Sequence, residues 1–306
     1  MTPSGTDRVG YDSPEAFRRA VATRLQTEAR RRARPPQQLR REFLFQRFLA
    51  RVFRIETSPW VLKGGTAMVM RMPGARYSQD VDLLRPADHL DVVWAIAGLR
   101  AVVDVDLGDH LRFVIDDPVR DVDGQTTARI RASGYTGATL FDRFTVDLST
   151  RPQLIGDIDV IRPDPVIEVP GMAAMPGISV YPLPDQVADK ICAMYDVYGA
   201  AGGPSTRYRD LVDLVLITSR EPLDGRLARL ALRSEEARRG IVIPDPLRVP
   251  GPQWAAGYRK IARDARLPAK LHDVEEGLAA VALCLGPLLT GEVASGTWDP
   301  QGATWR

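Results

Sequence analysis

Apolar residues recur along this chain with two different periods, and the places where the period changes divide it. Pro14–Arg32 has helical spacing and a start signal, with Ser13 as N-cap ahead of Pro14 at the first helical position. Pro35 and Pro36 interrupt the pattern, after which Leu39, Phe43, Phe45, Phe48, Leu49, Val52 and Phe53 predict a second helix over Gln37–Ile55 with a broad apolar face. From Trp60 the runs shorten and turn β-rich, predicting strands at Trp60–Leu62, Asp80–Leu84, Val102–Leu107, Leu111–Ile115, Thr126–Ala132 and Phe144–Leu148. Helical stretches are expected between the first three, at Thr66–Met72 and Ala87–Leu99. Proline and glycine then cluster from Pro163 to Pro184 as a crossover or linker. Beyond it the helical period returns, over Asp185–Tyr198, Thr206–Ser219, Leu223–Arg239, Gln253–Ala265 and Leu271–Leu288. The tail after Thr290 is expected to be loosely ordered. This order of elements predicts an α+β fold, a mixed α/β sheet followed by a helical domain. The expected divisions are residues 1–58 for N-terminal basic helices, 59–182 for the mixed-sheet core and 183–306 for the helical part.

Composition narrows the class without naming a chemistry. A chain of 306 residues that is 44% hydrophobic and 26% charged is ordinary for a folded protein with a sizeable core. It holds no run of about 18 apolar residues, and MTPSGTDRVGYDSPEAF lacks the charged start and apolar centre of a secretory signal, so a cytoplasmic, non-membrane protein is expected. Cys192 and Cys284 each sit inside an apolar helical pattern, as small buried side chains do, and the three histidines show no ligand spacing. The net charge of +2 conceals a basic stripe. About a dozen arginines fall between Arg18 and Arg54, against Glu15, Glu28, Glu42 and Glu56, a pattern that fits either a phosphate backbone or a solvated helix face.

Chemistry enters with VLKGGTAMVMRMPGARYSQDVDLL, Val61 to Leu84. Lys63-Gly64-Gly65-Thr66 lies where a short strand ends and a helix begins, so backbone amides and a helix N-terminus can face a phosphate. Glycine leaves no Cβ in the way, and the Thr66 hydroxyl can cap the helix or reach an oxygen, although a glycine pair at such a place is often only a tight turn. In Asp80-Val81-Asp82 the period of a strand puts both carboxylates on one face, while Val81 and Leu83 cover the other. Two carboxylates beside a phosphate turn are what magnesium commonly takes, together with water and substrate oxygens. Pairing with nearby arginines such as Arg76 is the plainer alternative. Asp147, which interrupts the apolar run Phe144–Leu148, is the candidate third metal ligand and acceptor of a hydroxyl proton. Asp104 with Asp106, and Asp157 with Asp159, form further D-x-D pairs, so that choice is not forced.

The ordered runs LKGGTA, RYSQDVDLL, DKICAMYDVYG and GGPSTRYRDLVDL, together spanning Trp60 to Ile217, resemble the AbiEii/AbiGii nucleotidyltransferase toxins, including the MenT-like ones. That resemblance implies a DNA polymerase β-like nucleotidyltransferase core, dependence on Mg²⁺ or Mn²⁺, and an NTP donor. In MenT-like members it further implies transfer of nucleotides to the 3′ acceptor end of tRNA, blocking aminoacylation, with a separately encoded antitoxin opposing the toxin. Carried over block by block, Gly64, Gly65 and Thr66 match the glycine turn, Asp80 and Asp82 the metal pair, and Lys190 the family's helical lysine. Arg207, Arg209, Asp210 and Asp213 match the R-x-R-D-x-x-D block. Lys190 would place a point charge on donor phosphates, and Asp210 and Asp213, three apart on one helix face, would orient it or contact metal or nucleotide. Ordinary salt bridges or a surface lysine would explain these residues nearly as well.

The spacer between Thr66 and Asp80 departs from the family by containing Pro73 and Gly74, which bears on nucleotide choice. Ser78, two residues before Asp80, belongs to the donor approach. A phosphate on it would set about two negative charges beside the carboxylates and act as an off switch, whereas a hydroxyl completing a local turn is the simpler role. The leading expectation is thus a nucleotidyltransferase toxin acting on tRNA. The alternatives are transfer to a protein side chain or to a small molecule such as an aminoglycoside, and a degenerate domain that only binds nucleotide or a partner.

Overall fold

Ser13 does cap the first helix, its hydroxyl accepting from the Ala16 amide, and α1 runs Pro14–Arg32 as the pattern predicts. α2, Pro36–Val52, follows after the two prolines, and Phe43, Phe45 and Phe48 are buried along it. The computed structural model describes residues 10–72, 74–86, 91–118, 126–151, 154–198 and 203–306. The chain divides into two units, the first made of Met1–Arg71, Ser78–Gln153 and Val160–Val180, the second of Met72–Tyr77, Leu154–Asp159 and Tyr181–Arg306.

In the first unit β1 (Val61–Lys63), α3 (Gly64–Arg71), β2 (Asp80–Pro86), α4 (Val92–Val103), β3 (Leu111–Ile115), β4 (Thr127–Thr136), β5 (Thr139–Arg151), β6 (Asp159–Ile161) and β7 (Ile178–Val180) build a seven-stranded sheet in the order β3-β4-β5-β2-β1-β7-β6. It is mixed as expected: β2 runs parallel to β5 and β1 to β7, while β1–β2, β3–β4 and β4–β5 are antiparallel. One face is apolar. Leu62, Val81, Leu83, Phe113, Ile130, Phe144, Val146 and Leu148 from the strands join one buried cluster with residues of α1, α2 and α4. Edge-to-face rings, Phe48 against both Phe113 and Phe144, help fix α2 on that face. The other face carries polar alternates, of which Lys63, Asp80, Asp82, Thr145 and Asp147 are half-buried and Arg112, Arg129, Arg131 and Arg143 exposed, while Ser133 is buried.

The second unit contains α5 (Leu183–Tyr195), β8 (Val197–Tyr198), β9 (Gly203–Pro204), α6 (Tyr208–Arg220), β10 (Leu223–Asp224), α7 (Gly225–Arg239), α8 (Trp254–Asp264), a 3-10 turn at Ala269–His272, α9 (Val274–Thr290), β11 (Thr297–Asp299) and β12 (Thr304–Trp305). The helical character after the proline-glycine segment is as predicted. Cys192 and Cys284 are buried, and burial pushes both thiols up from their ordinary values.

Three expectations need correction. The strand at Val102–Leu107 does not form, because α4 continues to Val103 with Val92, Ala95, Ile96, Leu99 and Val103 buried at helical spacing. That face outweighs the β preference of its valines. The expected start of this helix at Ala87 falls outside the described residues, as does Pro73 of the spacer. The helix expected over Asp185–Tyr198 stops at Tyr195, and Val197–Tyr198 pairs with Gly203–Pro204 instead. The tail is ordered: β11 pairs with β10 and β12, Trp298 is buried with its indole N–H on the Thr218 carbonyl, and Trp305 donates to the Cys284 carbonyl.

Candidate active site

On β2 the burial alternates as the D-x-D reading requires, with Asp80 and Asp82 half-buried on one face and Val81 and Leu83 buried on the other. Register then decides what stands beside them. Lys63 lies opposite Asp82, Asp82 opposite Asp147, and Asp147 opposite Arg129. Directly paired residues project to the same face, so Lys63, Asp82, Asp147 and Arg129 form one row across β1, β2, β5 and β4. The adjacent row is Asp80, Thr145 and Arg131.

The glycine turn is built against these acids. α3 begins at Gly64, two residues earlier than expected, so the glycines form its first turn. Gly64 has φ +66°, and a Cβ there would stand 1.9 Å from Asp82 Oδ2. Only glycine accommodates both the left-handed backbone and the carboxylate. Gly65 and Thr66 are buried, and the Thr66 hydroxyl donates to the Asp80 carbonyl. Ser78 is buried too, at 4% exposure, with its hydroxyl on the Asp80 carbonyl and on Asp80 Oδ1, each at 3.2 Å. These residues clamp the acidic strand from the β1 side. A phosphate on Ser78 would have to open that contact.

Asp147 is held by Arg129 in a two-pronged ion pair, Nε to Oδ1 and Nη2 to Oδ2, both 2.7 Å. The Arg129 side chain is 72% exposed at the outer side of the row. The hydrogen bonds to Asp147 hold the guanidinium above its ordinary pKa, and the charges of Asp80 and Asp82 add to the effect. Among the described residues no three Asp, Glu, His or Cys side chains are gathered to hold a metal ion. Asp80 and Asp82 fit the smaller requirement of a hard cation, two carboxylates on one face with room for water and substrate oxygens. Both oxygens of Asp147 are engaged by Arg129. Of the other D-x-D pairs, Asp104 caps the end of α4 and Asp106 accepts from the Gly108 amide. Asp157 and Asp159 lie exposed at or beside β6, at the far edge of the sheet.

The second block of candidates lies in the second unit. Asp210 and Asp213 share a face of α6, and Lys190 of α5 donates to both, 3.2 Å to Asp210 Oδ1 and 2.6 Å to Asp213 Oδ2. Arg76 closes on Asp213 with two hydrogen bonds of 2.8 and 2.9 Å. Arg207 pairs with Asp210, and Arg209 is exposed with no carboxylate partner among the described residues. Burial alone would depress Lys190 and raise Asp213. The charges of Asp213 and Asp210 more than reverse this for the lysine, which is held above its ordinary value, and those of Lys190 and Arg76 do the same for Asp213, held below.

Sequence reasoning missed Arg129 and Asp109, and it named Arg76 only as a neighbour of the D-x-D pair, without its bond to Asp213. Arg47 and Arg51 of the basic stripe are buried on α2 and share Asp109, with Arg51 reaching it through Nη1 and Nη2 and Arg47 through Nε. Arg31 and Arg32 pair with Glu28, Arg34 with Glu42 and Arg41 with Asp142. Much of the stripe is therefore spent inside the first unit.

Comparison with known proteins places the chain. Residues 47–280 match the family described as nucleotidyl transferase AbiEii toxin, type IV toxin–antitoxin system. Among solved structures, the chain is similar to MenT4, a nucleotidyltransferase toxin from Mycobacterium tuberculosis, at 19% identity and a TM-score of 0.50, over 90% of this chain and 97% of that one. It is also similar to JHP933 from Helicobacter pylori, at 18% identity and a TM-score of 0.43, over 84% of this chain and 95% of that one. No curated protein matches it. At this identity the likeness to MenT4 is one of fold. Among the described residues no helix is long and apolar enough to cross a membrane.

Proposed function

The chain belongs to the AbiEii nucleotidyl transferase toxin family of type IV toxin–antitoxin systems, and from that premise we propose that it transfers NMP from an NTP to the 3′ acceptor end of tRNA, blocking aminoacylation and translation. The observation that carries the reading is the carboxylate pair Asp80 and Asp82, presented on one sheet face and clamped by the turn at Gly64. Asp147 is engaged by Arg129, and Asp80 and Asp82, two carboxylates on one sheet face, are the pair suited to Mg²⁺ or Mn²⁺.

In the proposed reaction the 3′ hydroxyl oxygen attacks the α-phosphorus of the NTP. One phosphorus–oxygen bond forms as the bond between the α and β phosphates breaks, and pyrophosphate leaves. The hydroxyl proton passes to a carboxylate of the row, for which Asp147 is proposed. The metal, when bound, supplies charge for the phosphate oxygens. The chain's own part is positioning: Lys63 and the turn Gly64, Gly65 and Thr66 stand on the donor side, and Ser78 fixes Asp80. Lys190, Arg207, Arg209, Asp210 and Asp213 enter the proposal through the family motif, with the cations meeting donor phosphates. A cognate antitoxin is the partner that membership of a toxin–antitoxin family suggests.

The test is to incubate the protein with unfractionated tRNA, Mg²⁺ and each labelled NTP in turn, beside Asp80→Ala. Label on the RNA 3′ end, lost in the variant, is the expected result. Label on protein instead moves the acceptor to a polypeptide, and label on neither sinks the RNA reading.

A further inference from the structure

The face of the sheet that holds the carboxylates does not end with them. Toward the open edge, β5, β4 and β3 carry Arg143, Arg129, Arg131 and Arg112 on that same face, and all four are exposed. Arg131 lies opposite Thr145 and hence in the row of Asp80, while Arg143 is four residues from Asp147 on the same strand and faces Ser133. Arg129 is tied to Asp147. Arg131 and Arg143 pair with no carboxylate among the described residues, and Arg112 rests over the ring of Tyr135 at 5.0 Å. At about 4.8 Å between strands, Arg131 stands about 10 Å from Asp80 across the sheet.

The two sides differ. On the β1 side the acids meet Lys63 and the turn at Gly64, and on the other side they meet Arg129, tied to Asp147, with Arg131 and Arg143 beside it and no acid to neutralise those two. A purely structural surface gains nothing by setting unpaired guanidiniums side by side, since like charges repel. Arginine forks match phosphate oxygens, and a guanidinium plane offers a stacking surface to an unpaired base. With the donor on the turn side, as in the function proposed above, the cationic side is left for the second substrate.

We infer that the open face of β3, β4 and β5 is the acceptor track, where Arg131 and Arg143 bind backbone phosphates of the RNA strand and lead its 3′ hydroxyl to the carboxylate row. The inference rests on the RNA reading of the function. Its occupant is a phosphodiester chain, because its cations lie on an exposed surface that continues directly into the acids.

The test uses the full chain with Arg131→Gln and Arg143→Gln combined, and the Lys/Lys pair as a charge-keeping control. Turnover is measured against unfractionated tRNA and against NTP, and binding of a labelled single-stranded RNA is followed separately by anisotropy over a salt series. The Gln pair should raise KM for RNA about tenfold, leave KM for NTP unchanged, and flatten the slope of log affinity against log salt by about 1 to 2. The Lys pair should recover most of the slope, which distinguishes charge from misfolding. Unchanged RNA binding and salt slope in the Gln pair overturns the inference, and so does a rise in KM for NTP alone. Displacement of the RNA by polyglutamate at equal charge also overturns it, because the face would then suit an acidic protein. Should the wild type label no RNA, the function proposed above fails, and the anisotropy series still decides whether this face binds phosphates.

Discussion

Two groups of charges in this protein use the same residue types to opposite ends. In the second unit, Arg76, Lys190 and Arg207 surround Asp210 and Asp213, and Lys190 and Asp213 are buried with their charges met by hydrogen-bonded partners. In the first unit, Lys63, Asp82, Asp147 and Arg129 form one row with Asp80 and Arg131 in the next, and the three acids are half-buried. One group is sealed among its partners, and the other opens onto the sheet surface. Burial makes the first cluster a fixture, because each of its charges is tolerable only while its partners remain. Partial exposure leaves the carboxylates of the second where water and ligands can reach them. The difference separates charges fixed in a buried cluster from the half-buried acids proposed to react, and motif matching alone does not draw it.

The largest effect expected from breaking this contrast is on stability. Asp213→Asn leaves Arg76 and Lys190 without their shared carboxylate and should cost about 3–5 kcal/mol in urea unfolding, whether or not activity survives. The pH profile carries the same signature. Asp213 is depressed in the folded state, so its contribution is present above the ordinary carboxylate pKa and lost as pH falls through the lower folded value. Lys190 is raised, so its contribution is full below the ordinary lysine pKa and lost as pH climbs through the higher folded one. Wild-type stability should therefore fall below about pH 4 and above about pH 10.5, and the acid limb should flatten in Asp213→Asn. A variant as stable as the wild type would remove the cluster's structural role.

Next in size is the mirror experiment. Asp82→Asn should move the unfolding midpoint less than Asp213→Asn does, since Asp82 is only half-buried, but lower transfer at least about 100-fold, or about 2.7 kcal/mol. If Asp82→Asn unfolds the protein while Asp213→Asn only slows it, the assignment of roles is reversed. Gly64→Ala lies between the two. It combines a left-handed backbone with a Cβ driven into Asp82, and should cost about 1–3 kcal/mol and displace the acid, so both stability and turnover fall.

How far the residues foretold this varies with the range of the interaction. The D-x-D pair was legible because a strand's period is local, and the capped start of α1 because Ser13 and Pro14 are adjacent. The glycine turn was legible as a turn, but not that its empty Cβ position belongs to Asp82, which depends on how α3 returns against β2. Arg129 was invisible, since its partnership with Asp147 depends on the antiparallel register of β4 and β5, and Arg76 reaches Asp213 across 137 positions. In the tail the helical period is lost, yet two large indoles in a short segment argue for burial, and Trp298 and Trp305 pack together.

The smallest effect is also the most discriminating for the row itself. Arg129 lies at the exposed end of the row, and an ion pair that open contributes at most about 1 kcal/mol, so Arg129→Gln should barely shift the unfolding midpoint. Its consequence for the acids is larger in kind. With the guanidinium gone, Asp147 is released beside Asp82, and three carboxylates rather than two face a divalent cation. The concentration of Mg²⁺ giving half-maximal transfer should then fall, while KM for the RNA, if Arg129 also touches the acceptor, rises modestly. Measuring both in one titration separates the possibilities. A lower Mg²⁺ requirement identifies Arg129 as the competitor that keeps Asp147 from the metal, whereas an unchanged one with slower turnover means the pair works as built, Arg129 fixing Asp147 for the proton.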